Sequence, residues 1–253
     1  MSATKSPAPT VGRRPPWRPP TTDLDGGDRS IRTAGLAAAI GLIGMVILAP
    51  YAEFGVLDRL VTPGDAVQTV AEIAASEGLF RSAVASLAVV AVLDIIVAAA
   101  LFHIFAPVNR VVSMFAAWLR LAYTAVFLVG IGMLAGVLPL SGDPAQAVQG
   151  IDAYYDVYHA GLVMFGAHLM TIGYLAYRSA TVPRVIGVVF LLAGAGYLID
   201  RFGTLLLSDY SLTVAAFTGP GEIVLAFWLL MKGVRSASRA DRPVSVDRAP
   251  APL

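Results

Sequence analysis

The amino-acid sequence predicts an all-α, polytopic membrane protein, built as a bundle of six transmembrane helices. The first observation is composition: 57% of the 253 residues are hydrophobic and 14% are charged, whereas about a quarter of the residues in soluble domains are charged. The second is that six apolar stretches each approach the roughly 20 residues that a helix needs to cross a bilayer. Because backbone polar groups inside a bilayer must be satisfied within the protein, these Leu-, Ile-, Val- and Ala-rich stretches are predicted to be helices.

The six predicted spans are rich in glycine and alanine, which allow neighbouring helices to approach closely. Gly187 and Gly194 are seven residues apart in the fifth span, so we expect them to share one helix face. The spans cover residues 33–52, 82–105, 113–138, 158–177, 183–206 and 212–232.

The two ends of the chain differ in composition from the membrane domain, which we place at residues 31–235. Residues 1–30 are rich in Pro, Thr and Arg, and residues 236–253 have the same character. Such segments cannot bury an apolar core, and we expect both to be disordered tails. Residues 1–30 have no apolar core or cleavage site of a signal peptide, so the first span is expected to act as the membrane signal.

Basic residues are distributed unevenly between the two ends of the predicted bundle. The side that holds both tails has 14 Lys and Arg residues, and the other side has three, Arg59, Arg81 and Arg201. Since cytoplasmic loops carry the excess of Lys and Arg, this asymmetry predicts that the N-terminus and the C-terminus are both cytoplasmic. The expected location is the cell (inner or plasma) membrane, crossed several times, with the acidic loops outside.

The first outer loop is predicted to contain a helix at about residues 64–78. Asp65 is placed to cap its N-terminus, and Val67, Val70 and Ile73 recur at helical spacing. The pattern indicates a short amphipathic helix on the outer surface or over the end of the bundle. A solvated helical loop is an equally open interpretation.

Ionisable residues within the spans are the default candidates for a functional site, because each costs about 3 kcal/mol in hydrocarbon and must face a partner or a wet cavity. Asp94 and Arg120 each lie 13 residues from Pro107 in the turn between the second and third spans. Equal offsets place the two side chains at the same depth of an antiparallel hairpin. They are candidate catalytic residues, and the alternative is a buried ion pair that sets helix register.

Two further candidate catalytic residues are Glu222 and His168. Glu222 follows Gly219-Pro220-Gly221 within an apolar run, which predicts a broken last helix with free polar groups. The alternative is that the helix begins at Pro220, where Glu222 would only complement the helix dipole. His168 is predicted near mid-depth as a neutral side chain that donates one hydrogen bond to a neighbouring helix, or that orients a catalytic carboxylate.

Candidate substrate-binding residues lie near the outer boundary. Glu53 and Asp200 end the first and fifth spans, and together with Glu222 they predict an acidic vestibule. Tyr197 and Tyr158 are expected to line its mouth, with Tyr154 and Tyr155 nearby, because aromatic faces can stabilise cationic intermediates.

No cofactor, metal or nucleic acid is predicted. The chain has no cysteine, and its three histidines lie at different predicted depths. The tail arginines are interleaved with Pro and Asp, which favours contact with anionic membrane lipid over nucleic acid. The expected partners are membrane lipid and an apolar small-molecule ligand, and whether the protein is a homo-oligomer stays open.

The sequence resembles the bacterial six-helix membrane family catalogued as domain of unknown function 4386. The resemblance covers roughly residues 30–235. It rests on a PGD turn, VLDIIVAAALFHIFAPVNR, a GxH within GLVMFGAHLM, GYLID and GE. It implies the same six-span plan and draws attention to Asp94, His168, Asp200 and Glu222, but it implies no substrate.

Three functional hypotheses follow. The first is a membrane-embedded pocket performing acid–base chemistry on an apolar, lipid-like molecule of isoprenoid type. It predicts an apolar pocket that reaches Asp94 or Glu222. The second is a proton-coupled small-molecule carrier, which predicts a polar path toward both faces. The third is a non-catalytic structural or assembly bundle, in which the buried charges pair completely with one another and leave no cavity.

Overall fold

The computed structural model describes residues 24–140 and 142–211, together with residues 214, 224, 225, 227 and 228. Every regular element in this part of the chain is helical, which confirms the all-α class. Five segments among the described residues are long and apolar enough to cross a membrane, as the first five predicted spans require. The predicted sixth span lies almost wholly outside the described residues, and Glu222 with it; of its described residues, Leu225 is buried in the core.

The helices follow one another through short connections, and each long helix packs against its neighbour in sequence. The first long segment consists of α1, a π-helical turn and the short α2. The elements are α1 (Leu24–Pro50), the π-helical turn (Tyr51–Leu57), α2 (Asp58–Leu60), α3 (Ala66–Ala75), α4 (Glu77–Phe105), α5 (Arg110–Ala135), a 3₁₀ turn (Leu138–Leu140), α6 (Pro144–Arg178) and α7 (Arg184–Leu206).

Three helix starts have side-chain caps, and the cap at Asp65 is the one predicted from the sequence. The Asp65 carboxylate accepts a hydrogen bond from the backbone N–H of Gln68 at 2.9 Å, so the helix expected at about 64–78 begins where predicted. Asn109 caps α5 and Asp143 caps α6 in the same way. Because α3 buries Val70 and packs against α6, it covers that end of the bundle instead of standing in solvent.

Several helices extend beyond the predicted spans. The helix of the fourth span begins at Pro144, 14 residues before the predicted start at 158, and its 35 residues make it about 52 Å long. Asp152 and Asp156 lower the hydropathy of this first part, but Ile151 and Tyr154 recur at helical spacing and are buried. Hydropathy located the apolar part of the helix and missed the part that packs under α3. Helix α1 likewise begins at Leu24, inside the segment predicted as a tail.

Helices α6 and α7 meet through four glycines, two on each helix. A Cβ atom added at Gly194 would lie 2.6 Å from the carbonyl oxygen of Gly166, and one at Gly187 would lie 2.8 Å from the carbonyl oxygen of Gly173. Backbone atoms cannot move aside as side chains do, so only glycine permits this approach. The shared face predicted for Gly187 and Gly194 is confirmed, and it sets the rotation of α7 relative to α6.

The π-helical turn after α1 determines where the side chain of Glu53 lies. Pro50 has no backbone N–H to continue the α-helical ladder, and the chain widens into the turn Tyr51–Leu57. The hydroxyl of Tyr51 is hydrogen-bonded to that of Ser82 on α4 at 2.7 Å. The turn is thereby held against α4.

Candidate functional site

Three polar side chains from three helices meet in the interior of the bundle. Asp94 lies on α4, Arg120 on α5 and His168 on α6, and their exposed fractions are 0%, 0% and 1%. The Asp94 carboxylate oxygen Oδ1 accepts from Nε of Arg120 at 2.7 Å and from its Nη2 at 2.6 Å. The pairing predicted from the equal offsets around Pro107 is therefore confirmed, and we call these three residues the buried trio.

Hydrogen bonding defines the protonation of His168. Its Nδ1 lies 2.8 Å from the carbonyl oxygen of Ala116, which can only accept, so Nδ1 carries the proton and donates. The Nε2 atom lies 3.2 Å from Nη1 of Arg120, which can only donate, so Nε2 is the acceptor. His168 is thus neutral, as predicted, with both ring nitrogens engaged.

The buried trio is suited to positioning more than to proton transfer. Arg120 binds Asp94 and His168 at once, and its guanidinium also lies 5.5 Å from the centre of the Phe165 ring. The Asp94 carboxylate is paired with the permanent charge of the Arg120 guanidinium, and both ring nitrogens of His168 are hydrogen-bonded. These contacts tie α4, α5 and α6 together at one depth.

A second polar cluster lies at the end of the bundle that α3 covers. Glu53, in the π-helical turn, accepts hydrogen bonds from the hydroxyls of Tyr154 and Tyr155, one on each carboxylate oxygen. The ring of Tyr154 is buried, whereas Glu53 is only partly buried. Glu53, Tyr154 and Tyr155 form what we call the carboxylate–tyrosine cluster.

An elongated cleft of about 210 Å³ connects the two clusters. Glu53 lines one end and Asp94 the other, and the wall between them is apolar or aromatic. The cleft follows α1 from Leu42 to Pro50 and then the π-helical turn to Glu53, a rise of about 16 Å. It is lined by Leu42, Met45, Val46, Ala49, Pro50, Glu53, Leu87, Val90, Asp94, Tyr123, Phe127, Tyr158, Leu162, Phe165 and Tyr197.

Aromatic rings form a continuous row, which we call the aromatic row, and all of its members except Tyr154 line the cleft. Its ring centroids are separated by 6.2 Å between Tyr154 and Tyr158, 5.8 Å from Tyr158 to Phe127, 5.8 Å from Phe127 to Tyr123, and 4.9 Å from Tyr123 to Phe165. These separations are those of interacting aromatic pairs. The row therefore runs from the carboxylate–tyrosine cluster to the guanidinium of the buried trio.

The structure brings some of the predicted substrate-binding residues to the cleft and separates others from it. Tyr158 and Tyr197 line it beside Glu53, with Tyr197 edge-on to Phe165 at 5.5 Å. Asp200 is buried and does not line the cleft. Its Oδ1 accepts from the Tyr210 hydroxyl at 2.6 Å and from the Val214 backbone N–H at 2.9 Å. Asp200 thus holds the chain that follows α7.

The partners of Glu53 were not predicted from the sequence. Tyr154 and Tyr155 were expected at the mouth, but nothing in the sequence links them to a residue about 100 positions earlier. The adjacent pair of tyrosines beside an acidic loop was the only available signal. As for metal ligands, no three His, Asp or Glu side chains converge within the described part of the chain.

Fold and cleft together define a polytopic helical membrane protein with a polar-ended internal cleft. The chain belongs to the family described as domain of unknown function (DUF4386), whose model matches residues 37–233. This confirms the resemblance seen in the motifs. The chain is also 30% identical, over 152 residues, to a protein of Archaeoglobus fulgidus described as uncharacterized. That alignment covers 60% of this chain and 84% of the relative. No solved structure matches this chain.

Proposed function

We propose that this protein is a membrane-embedded pocket that binds a slender, apolar, lipid-like molecule of isoprenoid type and performs acid–base chemistry on it. The observation that carries the proposal is the cleft, which is apolar along its length and has a carboxylate at each end. Ligand pockets typically combine such apolar walls with a few placed polar groups.

The size of the cleft favours a single chain over a bulky lipid. Its volume of about 210 Å³ is below the roughly 300–1,000 Å³ of pockets for drug-sized ligands. Since the cleft is about 16 Å long, it is narrow, and one alkyl or prenyl chain lying parallel to α1 matches this shape.

Glu53 is the best described candidate for the acid or base. Asp94 is tied to Arg120 by two contacts to its Oδ1 atom. Glu53 faces the cleft and accepts a hydrogen bond from the hydroxyl of Tyr154, which orients the carboxylate, so Glu53 can exchange a proton with a ligand in the cleft. Glu222, outside the described residues, stays a candidate on the sequence argument alone.

The proposed setting is the cell membrane, with six spans and both termini cytoplasmic. In this orientation the carboxylate–tyrosine cluster lies near the outer surface, and the buried trio lies deeper. Ser82, level with the π-helical turn, precedes Asp94 by 12 residues on α4, a separation of about 18 Å. A ligand would enter beside Glu53 and extend inward along the aromatic row.

A proton-coupled carrier is the second candidate, and the placement of two carboxylates at different depths of one cleft favours it. The third hypothesis is a structural bundle. The mutual pairing of the buried trio supports this hypothesis, but a structural bundle is not expected to contain a cleft.

Native mass spectrometry of the protein in lipid nanodiscs tests the proposal. Wild type should retain a specific small molecule, and Leu162→Trp, which fills the cleft from α6, should lose it. Leu121→Trp, on an exposed part of α5, is the matched control. Retention by both variants would place the molecule elsewhere and contradict the proposal. Proton flux in liposomes, abolished by Glu53→Gln, would favour the carrier.

A further inference from the structure

We propose that the ligand of the cleft is an organic cation, a single-chain amphiphile whose ammonium group pairs with Glu53 and whose chain lies along the aromatic row. This inference rests on the proposed function and names the class of its ligand.

The charge balance of the cleft is the first argument. Its lining contains two carboxylates, Glu53 and Asp94, and no Lys, Arg or His among the described residues. Arg120 neutralises Asp94 from behind the wall. Within the described part of the chain, Glu53 meets only tyrosine hydroxyls, which donate hydrogen bonds but carry no charge. Among the described residues, Glu53 is therefore the one carboxylate of the cleft whose negative charge no basic side chain contacts.

The surroundings make that charge effective. A partly buried carboxylate beside apolar walls is poorly solvated, and its field is less screened than in water. A cation that enters the cleft is attracted by the Glu53 carboxylate and compensates its negative charge. A neutral chain leaves Glu53 uncompensated, and an anion would be repelled.

The aromatic row is the second, independent argument. Ring faces attract cations, and the attraction is strongest where water is excluded. One cation already uses this wall, because the guanidinium of Arg120 lies 5.5 Å from the centre of the Phe165 ring. At the other end of the row, Tyr158 lines the cleft together with Glu53 and presents the same kind of surface, next to the buried ring of Tyr154.

An organic ammonium fits these contacts better than a metal ion does. Ca²⁺ requires six to eight oxygen ligands, and no group of three His, Asp or Glu side chains occurs among the described residues. An ammonium group with an alkyl chain requires one carboxylate, aromatic faces and an apolar slot, all of which the cleft provides.

The test uses three probes with the same ten-carbon chain: decyltrimethylammonium, decanol and decanoate. Each is added to the full-length protein in phosphatidylcholine nanodiscs, and retention is measured by native mass spectrometry against empty nanodiscs. We expect wild type to retain the cation in preference to the alcohol and the carboxylate. Glu53→Gln should weaken cation binding by at least about tenfold, as removal of one partner of a desolvated charge pair does.

Two variants separate charge from structure. Asp58→Asn removes an exposed carboxylate five residues from Glu53 and should leave cation binding unchanged. Glu53→Asp keeps the charge on a shorter side chain and should bind the cation more tightly than Glu53→Gln does. If Glu53→Gln does not fold, the preference of wild type for the cation over decanol and decanoate becomes the deciding measurement, and equal retention of the three probes would overturn the inference.

The outcomes distinguish this inference from the proposed function. Suppose that wild type retains decanol as tightly as the cation and that Leu162→Trp loses both. That result would overturn the inference that the ligand is a cation, but it would still support an apolar pocket at the cleft. Failure of wild type to retain any of the three probes would count against both.

Discussion

Removal of the Arg120 guanidinium gives the sharpest test of the buried trio. Arg120→Met keeps much of the side-chain volume but deletes the bonds of 2.7 Å and 2.6 Å to Asp94 and the bond of 3.2 Å to His168. The Asp94 carboxylate would then be buried without a counter-charge. Removing one partner of a buried ion pair typically costs about 3–5 kcal/mol. We expect the free energy of unfolding of Arg120→Met to be lower than that of wild type by this amount.

The matched control is Arg81→Met. Arg81 also forms an ion pair, with Glu77 at 2.5 Å, but the two side chains are 63% and 53% exposed. Solvent-exposed pairs contribute about 0–1 kcal/mol, so this variant should be close to wild type. The two substitutions are chemically identical and differ in the burial of the partner.

A double variant tests whether the cost comes from the orphaned charge. Asp94→Leu combined with Arg120→Met removes both charges, and buried pairs replaced by apolar residues are often nearly neutral. His168 would still lose its donor at Nε2, which costs about 1–3 kcal/mol. The double variant should therefore be more stable than Arg120→Met alone.

The assay is equilibrium unfolding in mixed detergent micelles, with the free energy of unfolding compared across the four proteins. The reasoning is refuted if Arg120→Met lowers the free energy of unfolding no more than Arg81→Met does. The buried pair of Asp94 and Arg120 would then cost no more to break than an exposed pair. A double variant less stable than the single variant would refute it as well.

Three further predictions concern other parts of the molecule. Gly194→Leu should separate α6 from α7 and lower the midpoint of thermal unfolding, because even a Cβ atom there would lie 2.6 Å from a backbone atom of α6. Gly132→Leu is the control and should leave the midpoint unchanged, because no atom lies within 4 Å of its Cβ position. Asp65→Ala should remove the cap of α3 and destabilise it by about 1 kcal/mol, seen as faster amide exchange confined to that helix. The pKa of Tyr210 is raised above its ordinary value by the hydrogen bond that it donates to Asp200. This bond stabilises the fold below the ordinary tyrosine pKa and is lost as pH rises through the raised value, so Tyr210→Phe should flatten the alkaline decline in the thermal midpoint; an unchanged decline would contradict the assignment.

Contacts within one helical hairpin were predictable because the α-helix has a fixed rise. Asp94 and Arg120 lie at equal distances from one short turn, so depth alone brought them to the same level. The cap of Asp65 and the shared face of Gly187 and Gly194 followed from equally local rules. Each of these predictions needed only the geometry of one helix or of two helices joined by a tight turn.

Contacts between distant segments were not predictable in the same way. Glu53 meets Tyr154 because a π-helical turn after Pro50 rotates its side chain inward, and α6 begins early enough to bring the tyrosine alongside. His168 meets Arg120 only once α6 has packed on α5. A hydropathy profile predicts which residues lie within a span, but it gives no information about how one helix is rotated relative to the others.

The sequence by itself determined the all-α membrane class and the pairing of Asp94 with Arg120. These properties depend on apolar length, helical rise and local capping, which are functions of short stretches of chain. Only the tertiary structure decided that Glu53 shares a cleft with Asp94 and that aromatic rings line the path between them. Among the described residues, the cleft is a gap between five long helical segments. It exists only after backbone contacts such as those between Gly166 and Gly194 have set the distance and the rotation between neighbouring helices.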